Sequence, residues 1–138
     1  MPSVCDAAIV ALYAGVNALL LLGLAINVGA RRGAQNALEP GARGDANLTR
    51  AIRAHANFSE HAPIALFLLV ALALTNAPQL HLHALGTTFT LGRVVHAFGM
   101  MRATHPNSVR FVGNLSTGLV LLVGGALCIL QYYKAIAR

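Results

Sequence analysis

Apolar residues run through this chain in four long blocks separated by short polar breaks. The first covers roughly 7–29, and the second opens at IALFLLVALAL, straight after the polar segment RAHANFSEHAP at 53–63. Two more follow over about 80–101 and 109–133. Each run is long enough for the roughly 20 residues that cross a bilayer as helix. The pattern predicts helices over about 5–29, 48–75, 80–101 and 109–133. The breaks carry helix-ending chemistry: GARRG at 29–33, the Gly- and Pro-rich QNALEPGARGDANLT at 35–49, TNAPQ at 75–79 and ATHPNS at 103–108. Asp45 or Asn47 is the expected cap of the second helix, and Pro63 is expected to kink it where its polar turns become apolar. Short connections make neighbouring helices antiparallel. The expected fold is a single all-α domain, an integral membrane four-helix bundle with up-down topology.

Composition supports the membrane reading. Of 138 residues, 57% are hydrophobic and 10% charged, with a mean hydropathy of +0.64, whereas soluble domains carry about 25% charged residues. The segment MPSVCD contains Asp6 and no Lys or Arg, so the first run reads as a membrane helix and not as a signal peptide. A net charge of +6 is no sign of nucleic acid here, because the basic residues sit in short segments between apolar runs. They orient the chain instead. Arg31, Arg32, Arg43, Arg50, Arg53, Arg102 and Arg110 share one side in an up-down bundle, and Lys134 and Arg138 the other. The positive-inside rule puts the arginine-rich loops in the cytoplasm and both termini opposite. Such a multi-pass protein belongs in a bacterial inner membrane, to which the Ala- and Arg-rich, Lys-poor composition is suited. The N-x-S/T matches at Asn47, Asn57 and Asn114 then read as chance. Cys5 and Cys128 read as two small buried thiols, with a disulfide as the alternative. Helix four is dense in Gly113, Ser116, Thr117, Gly118, Gly124 and Gly125, which predicts close helix packing.

Candidate chemistry concentrates at the arginine-rich end. At about 100° per residue, Arg50, Arg53, Asn57, Glu60 and His61 fall within one arc of roughly 100° on helix two. His55 lies on a different face, aimed at another helix or another subunit. Arg93, His96 and Met100 form a stripe on helix three at similar depth. An uncompensated Arg inside a bilayer costs about 2.5 to 3.5 kcal/mol on insertion scales, so Arg93 and Glu60 are expected to face helices and not lipid. Arg53, Arg93 and Arg110 are the simplest partners for Glu60. Arginine forks bind carboxylates, Asn both donates and accepts, and Glu can receive an ammonium, so the inventory suits a small peptide in a wet cationic pocket. Interfacial snorkelling with an ion pair fixing helix register is the structural alternative. His81 and His83 project to separated faces with no Cys or acid at ligand spacing, and no metal site is expected. Asn17 reads as an interhelical hydrogen bond.

ARR at 30–32, RAHANFSEHAP at 53–63 and LGRVVHAFGMMR at 91–102, in that order among four apolar runs, resemble the membrane-associated proteins in eicosanoid and glutathione metabolism, the MAPEG family. The most specific piece is R-x-x-x-N-x-x-E-x-x-P, and HAFG with RFVG is most similar to small bacterial members. The resemblance implies a homotrimer of four-helix subunits with glutathione, as co-substrate, held between neighbours. Position by position it implies that Arg53, Asn57, Glu60, His61, Arg93 and His96 bind glutathione and that His55 reaches the neighbouring subunit's ligand. Arg31 and Arg32 match the arginine pair ending helix one. Arg110, matched with a small shift in loop length, is the implied arginine that holds the glutathione thiolate, as a guanidinium lowers a thiol's pKa. Met100 stands where the leukotriene and prostaglandin synthases have Tyr. The implied activity is a transferase or peroxidase acting on lipophilic electrophiles or lipid hydroperoxides from the bilayer. A lipid- or partner-binding protein of the same fold is the second reading, and a proton-coupled exporter the third. The exporter is disfavoured because Glu60 lies among arginines towards one end.

Overall fold

The computed structural model describes residues 3–34, 46–102 and 107–137. The expected cap Asp45 and the charges Arg43 and Arg138 lie outside the described residues. Helix α1 covers Val4–Ala34, α2 Ala46–Leu74, α3 Gln79–Arg102 and α4 Ser108–Ile136, with no strand among the described residues.

Local chemistry accounts for the helix ends. Ser3 and Asp6 form a reciprocal capping box at the start of α1: the Ser3 N–H donates to Asp6 Oδ2 at 3.2 Å and the Asp6 N–H to Ser3 Oγ at 3.1 Å. GARRG does not end α1, which continues through Gly29 to Ala34. A single glycine costs only about 1 kcal/mol in a helix, too little to stop one, and Arg31 Nε donates one turn back to Asn27 Oδ1 at 3.0 Å. Asn47 lies inside the first turn of α2 instead of capping it. Pro63 interrupts no helix, and α2 runs through it. The α2 terminus is a Schellman turn: Asn76 adopts φ 55°, its N–H donates to Ala73 C=O, and the Ala77 N–H reaches Leu72 C=O at 3.0 Å. Asn107 caps α4, its Oδ1 accepting from the Arg110 N–H at 2.8 Å.

The helices form an integral membrane bundle whose middle is the α2/α3 pair. Both α1 and α4 pack on α2 and α3, and α1 does not meet α4 among the described residues. Phe58, Leu69, Leu72, Leu82, Phe89 and Val120 fill the core, while Leu19, Leu22, Phe67 and Leu122 point outwards, as suits a lipid-facing surface. Among the described residues, α1, α2 and α4 are both long and apolar enough to cross a membrane by composition. Helix α3, at 24 residues, is long enough as expected but less apolar, since it carries His81, His83, Arg93, His96 and Arg102. Partner helices bury Arg93 and His96 in its interior, while His81, His83 and Arg102 stand within the first or last turns.

Two devices hold α3 in place. Along α1 a polar seam runs the length of the contact. Gln79 Nε2 donates to Asp6 Oδ1 at 3.0 Å; Tyr13 Oη sits 2.9 Å from His83 Nδ1 and 2.7 Å from Thr87 Oγ1; and Asn17 Nδ2 donates to Thr90 Oγ1 at 2.8 Å, the interhelical bond expected of it. Along α4 the contact is nearly backbone to backbone. A Cβ at Gly113 would lie 2.5 Å from the His96 backbone nitrogen, and one at Gly99 2.7 Å from that of Arg110. Gly118 and Gly125, by contrast, face open space. Both cysteines are free, and Cys5 is exposed, not buried as expected.

Gly113→Ala is expected to lower stability by about 1–3 kcal/mol, the usual cost of overpacking, in thermal unfolding of the detergent-solubilised protein. Gly23→Ala, where a Cβ meets nothing within 4 Å, should leave the midpoint unchanged or raise it.

Candidate functional site

Arg93 sits nine positions from the end of α3 at Arg102, about 14 Å along the axis at 1.5 Å per residue, and is 0% exposed. A guanidinium that deep needs acceptors from its neighbours. Arg93 Nη2 donates to Asn57 Oδ1 on α2 at 2.6 Å, and Nη1 to Thr117 Oγ1 on α4 at 3.2 Å. The Thr117 hydroxyl spends its own proton on Gly113 C=O at 3.1 Å, which leaves its lone pairs for the arginine. The Phe58 ring lies 5.7 Å from the guanidinium carbon, within cation–π range. One side chain thus ties together α2, α3 and α4.

Because a guanidinium only donates, Asn57 must present its oxygen to Arg93, leaving its NH2 group for the neighbouring cavity. This cavity, of about 350 Å³, is lined by Asn57, His96, Asn107, Arg110, Phe111 and Asn114. Arg110 is half-buried in the first turn of α4. Its carbonyl accepts from His96 Nδ1 at 3.1 Å. Asn107 braces the same corner, donating from Nδ2 to Gly99 C=O at 3.1 Å while capping α4. The positive end of the α4 dipole, a guanidinium and several amides therefore converge on one concave surface, a setting that favours anionic groups.

Of the predicted site residues, Asn57, Arg93, His96 and Arg110 come together here. His61 stands one turn along α2 from Asn57, its Nδ1–H donating to Asn57 C=O at 2.8 Å. Arg53 and Glu60 share that helix face but are exposed. Glu60 forms no hydrogen bond or close ion pair among the described residues, so the partner expected from Arg53, Arg93 or Arg110 is not found; Arg93 is held by Asn57 and Thr117 instead. Its carboxylate acts on Arg93 through space only. Arg50 donates to Asn47 Oδ1 at 2.5 Å. Met100 is buried in the core and adds no polar group.

Arg31, Arg32 and His55 are elsewhere. A second hollow of about 300 Å³, between α1 and α2, is lined by Val28, Gly29, Arg32, Ile52 and His55 among others. Arg31 is held by Asn27 on its own helix. Asn107, Phe111, Asn114 and Thr117 were not singled out as site residues in the sequence. Asn107, Arg110, Asn114 and Thr117, at spacings of three, four and three, put one polar face on the first turns of α4.

Comparison with known proteins adds the following. A model of the MAPEG family matches residues 10–130. The chain is 30% identical over 129 residues to the uncharacterized protein sll1147 of Synechocystis, covering 93% of each chain. It is 35% identical over 89 residues to the inner membrane protein YecN of Escherichia coli, covering 64% of this chain and 67% of that one.

Asn57→Leu strands the Arg93 guanidinium and is expected to cost about 1.5–3 kcal/mol, the worth of a hydrogen bond to a charged group, whereas Thr117→Ser, which keeps the acceptor, should cost far less. Thermal unfolding in detergent measures both.

Proposed function

The chain belongs to the MAPEG family, and from that premise we propose that it is a membrane-bound glutathione-dependent transferase or peroxidase acting on lipophilic electrophiles or lipid hydroperoxides. The observation that carries this reading is the donor-rich cavity of Asn57, Asn107, Arg110 and Asn114 in an otherwise apolar bundle. Its NH2 groups and guanidinium suit the carboxylates of glutathione, and Arg110, at the positive end of α4, suits a thiolate. The lipophilic partner arrives from the bilayer, against which the outer faces of α1 and α4 are apolar.

The split between two hollows supports a shared site. His55 and Arg32 lie on the α1/α2 side, and within one subunit α1 does not reach α4. A neighbouring copy brings them to the cavity, and the homotrimer implied by the family resemblance is the assembly proposed. In that assembly Arg53, Glu60, His61 and Arg31 complete the peptide-binding and thiolate-stabilising set. The protein is placed in a bacterial inner membrane, as YecN's name describes for that relative, with the arginine-rich loops cytoplasmic.

A second reading, a lipid- or partner-binding protein without turnover, is favoured by Met100, whose burial in the core leaves the cavity without a hydroxyl at that position.

Purified protein is expected to conjugate glutathione to a chlorodinitrobenzene, and Arg110→Ala to lower turnover about 10²–10³-fold, the usual effect of removing one anion-stabilising donor, with the oligomer intact by size exclusion. Turnover unchanged in Arg110→Ala removes that residue's role. Absence of glutathione binding by calorimetry in the millimolar range favours the second reading.

Mixed assemblies test the shared site. Coexpressed Arg32→Ala and Arg110→Ala subunits should regain part of the activity that each loses alone, because some interfaces then pair two unaltered faces. No recovery argues that Arg32 and Arg110 do not serve a common site across an interface.

A further inference from the structure

The cavity contains one group whose wiring is incomplete. His96 is 3% exposed, and its Nδ1 faces the Arg110 carbonyl at 3.1 Å. A carbonyl only accepts, so Nδ1 carries the proton and Nε2 of the neutral ring is a bare lone pair. That Nε2 is buried and has no hydrogen-bond partner among the described residues. Buried polar atoms are nearly always paired, and an orphan in a native fold calls for an explanation: an ordered water, a ligand or a catalytic role.

The surroundings narrow the role. Of the six residues lining the cavity, Asn57, Asn107 and Asn114 are amides, Phe111 is apolar and Arg110 is already protonated. Among the described residues, only His96 can take up a proton there. The charged or titratable groups beside it, among the described residues, are Arg93 on its own helix, His61 on α2 and Arg110 on α4, and none of these is an acid. His61 also commits Nδ1–H to a backbone carbonyl, but it is not among the cavity's walls.

Building on the glutathione reading, we propose that His96 is the general base of the site: Nε2 takes the thiol proton of the bound co-substrate and later returns it to the product. In the first step the S–H bond breaks, its electron pair stays on sulfur, and an N–H bond forms at Nε2. The thiolate faces the Arg110 guanidinium, and the imidazolium keeps its Nδ1–H on the Arg110 carbonyl. In the second step the thiolate attacks an electrophilic carbon, an activated alkene or an epoxide. The enolate or alkoxide so formed takes the proton back from Nε2. No redox partner is consumed. The Arg110 residue thus acts twice, its side chain on sulfur and its carbonyl on the base.

His96→Asn tests this, because an asparagine amide can still donate to the Arg110 carbonyl yet cannot accept a proton. Calorimetry should show glutathione affinity within a few-fold of wild type, and turnover with an epoxide or enone should fall about 100-fold at neutral pH, the low end of what general bases contribute. Raising the pH should restore turnover, since free thiol then ionises unaided. Unchanged turnover with an unchanged pH profile overturns the proposal. A measurement on wild type stands whether or not the variant folds: mixing with glutathione in weak buffer with a pH indicator, while following thiolate absorbance. Thiolate appearing without proton release supports His96 as acceptor, and one proton released per thiolate overturns it. If wild type binds no glutathione by calorimetry, the glutathione reading itself fails, a result distinct from either.

Discussion

The arrangement depends first on the need to satisfy a guanidinium buried about 14 Å along α3. Arg93 is fully buried, so neighbouring helices must bring acceptors, and they do so with Asn57 and Thr117. Much of the local design follows from that demand. Thr117 must turn its proton to Gly113, and Asn57 must turn its oxygen inward and its NH2 group towards the cavity. The α3/α4 backbones approach closely enough for these short side chains to reach, which is why Gly113 has no room for a Cβ. Stability and site geometry are therefore one requirement: the contact that secures the helices also orients the donor that faces a ligand.

Much of the fold was legible in the sequence because bilayer length and hydropathy are strong constraints. The arc of Asn57 and His61 on α2, and of Arg93 with His96 on α3, followed from helical spacing alone. What periodicity lacks is the neighbour. It places Asn57 and Glu60 on one face but does not say which of them meets Arg93; the shorter amide wins, and the carboxylate is left exposed. The α4 residues were harder to see, since Thr117 and Asn114 lie within a run whose small residues read as packing. Gly29 misled because a glycine beside arginines resembles a helix end, whereas the hydrogen-bond ladder carries on through it. The apolarity of α3 was overstated because burial by neighbours, and not composition, is what covers Arg93 and His96.

The two faces of α3 are secured in different ways, with different consequences for motion. Towards α1 the contact is a series of side-chain hydrogen bonds, from Asp6 and Gln79 through Tyr13 and His83 to Asn17 and Thr90, each of which can break and re-form separately. Towards α4 it is close backbone contact at Gly99 and Gly113, with Asn107 latching the start of α4 to the last turns of α3. The α3/α4 pair is the more closely packed unit. His96, Asn107 and Arg110 all belong to it, and Asn57 is the wall residue contributed from outside.

The failure of α1 to meet α4 leaves the subunit with two unlike margins, α1 at one side and α4 at the other. Joining copies through such margins sets one patch against a different patch. Contacts of that kind are heterologous: they cannot give a two-fold dimer, and they either close into a ring or continue as a filament. In the ring assembly proposed above, the angle between the two margins, set by how α1 and α4 sit on the α2/α3 pair, would decide how many copies close it. Substitutions in the α2/α3 core, far from any intersubunit contact, could thereby change stoichiometry by opening or closing that angle.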